Sequence, residues 1–180
     1  MNLKNKLYYI SLASIMLALL IVCSQLTIPL PVIPLTLQTL AVGLLASILP
    51  LRYSLQTILV YLLLGFIGLP IFANFKGGLG VLFSNTGGYL LGFLVYVIVV
   101  GSLVAKKQTF GWLLVANSLG ALMQLLCGSL WLLVISDINL ENALLLGTVP
   151  FLLPGAVKVI LVCICAQIYY REFAKRSAKI

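Results

Sequence analysis

Long apolar stretches follow one another along this chain, and nine of its basic residues stand at the two ends or in alternate gaps between the stretches. Lys4 and Lys6 precede the first stretch, Arg52 breaks one gap, Lys106 and Lys107 another, and Arg171, Lys175, Arg176 and Lys179 close the chain. In hydrocarbon a backbone must satisfy its own hydrogen bonds, so apolar runs of this length form helices. The pattern predicts an all-α polytopic membrane protein. With 63% hydrophobic and 8% charged residues and a mean hydropathy of +1.22, the composition lies far from that of a soluble domain. A net charge of +8 could serve a nucleic acid, but it is dispersed at helix ends with no basic stripe, which fits cytoplasmic anchoring and no nucleic-acid partner.

A span takes about 20 residues at a rise of about 1.5 Å each. Six candidates follow, at residues 7–26, 36–49, 53–69, 87–105 and 111–135, with an interrupted sixth. The second is short and starts after Pro29, Pro31 and Pro34. The sixth begins near Ala143, meets Pro150 and Pro154, and continues as helix over residues 155–170. Six transmembrane helices put both termini on one side, and the positive-inside rule makes that side cytoplasmic. Tyr8, Tyr9, Tyr53, Trp112, Tyr169 and Tyr170 fall at the same boundary, where an aromatic belt belongs. The expected organisation is one integral-membrane domain over residues 1–180 in the plasma membrane of a bacterium. The first apolar run is too long for a signal-peptide core and lacks a cleavage pattern, so it counts as a span.

Enzyme chemistry finds little support. The chain has four cysteines, no histidine and three acids, too few for an acid-base pair or a nucleophile triad inside the spans. Cys23, Cys127, Cys163 and Cys165 lie in apolar runs, and the last two face different directions on a helix, so no metal and no cofactor is expected. There is no GxxxxGK[ST] loop, which excludes ATP hydrolysis by that route.

The outer gaps carry the polar chemistry. Residues 27–39 read TIPLPVIPLTLQT: prolines that cannot continue a helix, then Thr36, Gln38 and Thr39 at membrane depth. Residues 65–89 form a segment too long and apolar for a solvated loop, rich in glycines, among them Gly78, that allow close backbone approach. Lys76 and Lys158 are the two basic residues outside the topological pattern. Lys158 lies 12 residues before Tyr170, or about 18 Å of helix, so its Cα falls about 12 Å below the outer hydrocarbon face. Either it snorkels to the interface or an anionic ligand entering from outside pairs with it. Small residues spaced by four, Ser14 with Ala18, Gly88 with Gly92 and Ala116 with Gly120, allow helices to approach closely.

Residues 28–45 (IPLPVIPLTLQTLAVGLL), 62–73 (LLLGFIGLPIFA), 77–83 (GGLGVLF) and 86–93 (TGGYLLGF) resemble the BioY biotin transporter family, and the likeness runs across nearly the whole chain. That resemblance implies a substrate-binding S component of an energy-coupling factor (ECF) transporter. It would capture biotin outside and deliver it by reorienting in the lipid bilayer, driven by a transmembrane coupling protein and two ATPase subunits. By the same resemblance Lys158 would pair with the ligand carboxylate. Thr36, Gln38, Asn74, Thr86 and Tyr89 would contact the ring system and valerate chain, Gly78 would belong to the same site, and Ser14 and Ala18 would meet the coupling protein.

The sequence departs from the family pattern in three places. Pro154-Gly155-Ala156-Val157-Lys158 stands where the family has P-G-D-x-x-K, without the Asp and one residue shorter to the Lys. Asn74 and Phe75 replace a Gly-Gly, and Asn85 replaces the Pro of G-P-T-G-G-Y. The missing Asp and the bulk of Phe75 leave open a related small carboxylate such as lipoate as substrate. A membrane structural or assembly subunit, in which Lys158 only snorkels, is the reading from another class.

Overall fold

The computed structural model describes residues 3–177, the side chains of 173–177 excepted. Lys179 therefore lies outside the described residues, as do the side chains of Lys175 and Arg176. The elements are α1 (Leu3–Gln25), a two-residue antiparallel pair β1 (Thr27–Ile28) and β2 (Leu35–Thr36), α2 (Gln38–Ile48), α3 (Leu51–Phe66), α4 (Gly87–Val104), α5 (Phe110–Ile135), α6 (Leu140–Gly147) and α7 (Val149–Ser177). Four stretches are long and apolar enough to cross a membrane: α1, α4, α5 and the α6–α7 stretch taken to Glu172.

Two expectations need correction. The second span is a helix of only 11 residues, α2, or about 17 Å. The predicted residues 36 and 37 do not belong to it: Thr36 closes the strand pair, and the backbone N–H of Gln38 donates to Thr36 Oγ1 at 3.2 Å, which starts the helix. The prolines of the hairpin keep this stretch out of helix. The sixth segment, by contrast, is not interrupted at Pro154. α7 starts at Val149 and runs through Pro154. Pro150 sits in its first turn, where no N–H is needed, and Pro154 removes only one bond, to the carbonyl of Pro150.

The core is helix against helix. α4 and α5 pack most extensively, and glycines make this possible from both sides. A Cβ on Gly88 would meet Trp131 Cβ at 2.1 Å, and one on Gly128 would meet the Tyr89 ring at 2.2 Å. Gly92 lies on Gln124, and Gly120 on Val100 and Tyr96. In lipid such close approach replaces the hydrophobic drive. Gly88 with Gly92, and Ala116 with Gly120, thus serve packing, while Ser14 and Ala18 are exposed on the outer face of α1.

A buried polar column ties three helices near the C-terminus of α2. The Asn117 amide of α5 donates to Ser47 Oγ of α2 at 3.0 Å and accepts from Tyr96 Oη of α4 at 3.0 Å. Tyr170 Oη of α7 donates to the Ser47 carbonyl. Towards the same end, Tyr9 stacks on Tyr53 at 5.3 Å, and the Tyr8 and Tyr169 hydroxyls share a hydrogen bond of 2.9 Å. Five of the six aromatic residues expected at one boundary, Tyr8, Tyr9, Tyr53, Tyr169 and Tyr170, are brought together here.

Candidate functional site

At the opposite end the β1–β2 hairpin, the loop of residues 67–86, the start of α2 and facing turns of α4, α5 and α7 surround a cavity of about 330 Å3. That is in the range of small-molecule sites. Its wall is mostly apolar and aromatic: Ile33, Phe72, Phe93, Phe151, Val159 and Val162 contribute. No carboxylate is among the lining residues, and both Lys76 and Lys158, the two basic residues off the topological pattern, are.

Lys158 projects from α7 towards the hairpin. Its Nζ donates to the Thr36 carbonyl at 2.7 Å and to Thr39 Oγ1 at 3.1 Å. Two neutral oxygens solvate the ammonium without neutralising its charge, and no carboxylate lines the cavity. The N-terminus of α2, whose Gln38 and Thr39 line the cavity, adds the positive end of a helix dipole on the same side. The hairpin and the first turn of α2 hold the ammonium at the cavity wall.

Gln38 is fixed before any ligand arrives. Its Oε1 accepts from Thr36 Oγ1 at 3.0 Å, and its Nε2 donates to Tyr61 Oη at 2.7 Å, which in turn donates to the Ile71 carbonyl at 3.1 Å. Gln38 is 6% and Tyr61 0% exposed, so the relay is sealed from below and its upper end faces the cavity. The α1 terminus holds the loop from the other side. Ser24 Oγ donates to the Ile71 carbonyl at 2.6 Å, and Gln25 Oε1 accepts from the Phe75 N–H at 2.9 Å.

Asn74 and Phe75 both take positive φ, 59° and 55°, the left-handed region that glycine enters freely and a side chain enters at a cost. These are the positions where the family pattern has Gly-Gly. Asn74 accepts from Thr27 Oγ1 at 2.8 Å, joining loop and hairpin, and Phe75 is exposed. Tyr89, 7% exposed, donates to the Gly147 carbonyl at 2.8 Å, and Thr86 shares a 2.9 Å hydrogen bond with Ser84.

Of the residues expected in the site, Lys158, Gln38, Thr36, Tyr89, Thr86 and Asn74 line this one cavity. Gly78 does not. Its φ of 92° and its N–H bond to the Gly65 carbonyl at 2.7 Å make it a turn residue that folds the loop back onto α3. Sequence reasoning missed Gln124 and Tyr96, which also line the cavity. The Gln124 amide donates to the Tyr89 carbonyl at 3.4 Å. An amide in the middle of an apolar span, one of two in α5, was the available signal, because such a group tends to face the bundle interior.

A sequence model described as the BioY family matches residues 1–175. Biotin transporter BioY2 of Lactococcus lactis subsp. cremoris is 42% identical over 166 residues, covering 89% of this chain and 88% of that protein. Biotin transporter BioY of Thermotoga maritima is 38% identical over 159 residues, covering 86% and 90%. Among solved structures, the S-component for biotin from an ECF-type ABC transporter superposes with a TM-score of 0.88 over 95% of each chain, at 24% identity. The fold is shared with that protein.

Proposed function

The chain belongs to the BioY family, and from that premise we propose that it is the biotin-binding S component of an ECF transporter. One observation carries the proposal: an ammonium, Lys158, held inside an apolar cavity whose lining contains no acid. Biotin matches that arrangement group by group. Its carboxylate takes Lys158 and the α2 N-terminus. Its fused ring and valerate chain meet the aromatic and aliphatic walls and the hydrogen-bonding side chains Thr36, Gln38, Asn74, Thr86 and Tyr89.

The same reading extends to the whole subunit. All 180 residues form one membrane domain, crossing the plasma membrane six times with both termini cytoplasmic, so that the cavity opens outward. Uptake is driven by two ATPase subunits acting through a transmembrane coupling protein, which meets α1 at Ser14 and Ala18. The exposure of both residues supports that face. ATP is hydrolysed by the partners and not by this chain.

Equilibrium binding of labelled biotin to the purified subunit in detergent tests the proposal, with excess lipoate as competitor. Saturable binding displaced by unlabelled biotin and not by lipoate is the expected result. A folded subunit that binds lipoate in preference to biotin refutes the substrate, and one that binds neither refutes the carboxylate site.

A further inference from the structure

Gly155 is an unusual glycine in this fold. Most helical glycines here are required by packing: a Cβ on Gly43, Gly65, Gly88, Gly101 or Gly128 would come within 3 Å of a neighbouring atom. A Cβ on Gly155 meets nothing within 4 Å. Among the described α-helical glycines, only Gly111, in the first turn of α5, is as open. Gly155 lies inside α7, where glycine is less favourable than alanine, so neither packing nor helix propensity accounts for it.

Its place on the helix gives the account. Phe151, Gly155, Lys158, Val159 and Val162 recur at helical spacing and all line the cavity. Ala156 and Val157, the next two residues, are exposed on the opposite face. The wall of α7 is therefore filled by Phe151 on one side of Gly155 and by the two valines on the other, and it is notched between them. Lys158 opens from the same face one turn further on. Glycine within a wall otherwise built of side chains marks close approach of another molecule to the backbone.

We propose that Gly155 is a specificity-determining residue: the methylene arm that carries the ligand's carboxylate lies in this notch, against the α7 backbone, on its way to Lys158. The inference rests on reading the cavity as a carboxylate site. A side chain at position 155 fills the notch, lifts the arm from the wall and draws the carboxylate away from the ammonium. It thus reduces the advantage of an acid over its uncharged amide, and does so without disturbing the fold.

The test uses the full chain in detergent as wild type, Gly155→Ala and Gly155→Leu, with thermal melting of each and equilibrium binding of biotin and of biotinamide. The ligand-free Ala variant melts at or above the wild type. Biotin affinity falls about ten- to a hundredfold in the Leu variant and by less in the Ala variant, and the preference for biotin over biotinamide shrinks in the same order. Unchanged affinities overturn the proposal. So does an equal loss for acid and amide, which would assign Gly155 to flexing of α7 beside Pro154. If the Leu variant does not fold, the Ala variant decides by the same ratio. A wild type that binds lipoate and not biotin refutes only the substrate, and lipoate with lipoamide then decides the notch. A folded wild type that binds neither acid refutes both readings.

Discussion

Replacing Lys158 by Met keeps all but the last atom of the side chain's length and removes the charge, which makes it a sharper probe than Ala. The ammonium is half-buried between the Thr36 carbonyl and Thr39 Oγ1, with no acid in the cavity lining. At about 3 Å and an effective dielectric constant of about 20, a carboxylate gains roughly 5 kcal/mol of Coulomb energy there. Desolvation of both ions takes back a large part, and a charge-assisted hydrogen bond nets about 1.5–3 kcal/mol. Lys158→Met should therefore weaken biotin about 10- to 150-fold. The assay is a double cycle of wild type and Lys158→Met against biotin and biotin methyl ester. If lysine and carboxylate meet, the variant loses little or nothing with the ester, and the coupling energy lies in the range above. Equal losses with both ligands, or binding within twofold of the wild type, would refute the pairing. Loss of folded protein would not mimic it, because the ester reports on the same preparation.

Three further outcomes are expected. Phe75→Gly relieves a left-handed side chain and keeps the N–H that Gln25 accepts, so the detergent melting point should rise, by an amount equivalent to roughly 0.5–1 kcal/mol after the entropic cost of glycine; a fall would mean that the ring itself holds the loop. Gly88→Leu drives a side chain into Trp131, 2.1 Å from its own Cβ, and should destabilise by at least about 3 kcal/mol, visible as aggregation in size-exclusion chromatography; a monodisperse variant with wild-type melting would contradict the α4–α5 packing. Replacing Ser14 and Ala18 by Leu together should leave biotin binding in detergent unchanged and abolish uptake in cells that supply the coupling subunits. Retained uptake would remove α1 from that contact.

The fold was legible where a single physical force decides it. Apolar length located α1, α4 and α5 to within a few residues, since hydrocarbon leaves the backbone no other choice. It was less legible where two forces compete. Proline chemistry argued for a break at Pro154, yet one lost hydrogen bond is a small price for a helix packed along its length, and α7 continues. At Thr36 the reverse happened: an apolar run read as helix yielded to strand pairing and a hydroxyl-initiated turn. Lys158 could be identified from its violation of the charge pattern alone. Gln124 and Tyr96 could not, because their membership of the cavity depends on which face of each helix turns inward. Gly78 lies outside the cavity lining, and its φ of 92° fits a left-handed turn, a backbone state that the sequence alone does not reveal.

The Ser47–Tyr96–Asn117 column also bears on how the chain is assembled. α2, α4 and α5 enter the bilayer one after another, and until all three meet, the Asn117 amide has only its own Leu113 carbonyl, at 2.9 Å, to bond. A rotation of α5 by one residue would turn the amide about 100° away from both partners and leave it facing lipid or apolar side chains. Each such bond is worth about 0.5–2 kcal/mol in a membrane, so the correct rotational setting gains what neighbouring settings forfeit. Apolar faces alone would slide past one another with little penalty. One buried asparagine acts as an index pin, and it gives a bundle rich in leucine, valine and isoleucine a reason to settle into a single arrangement.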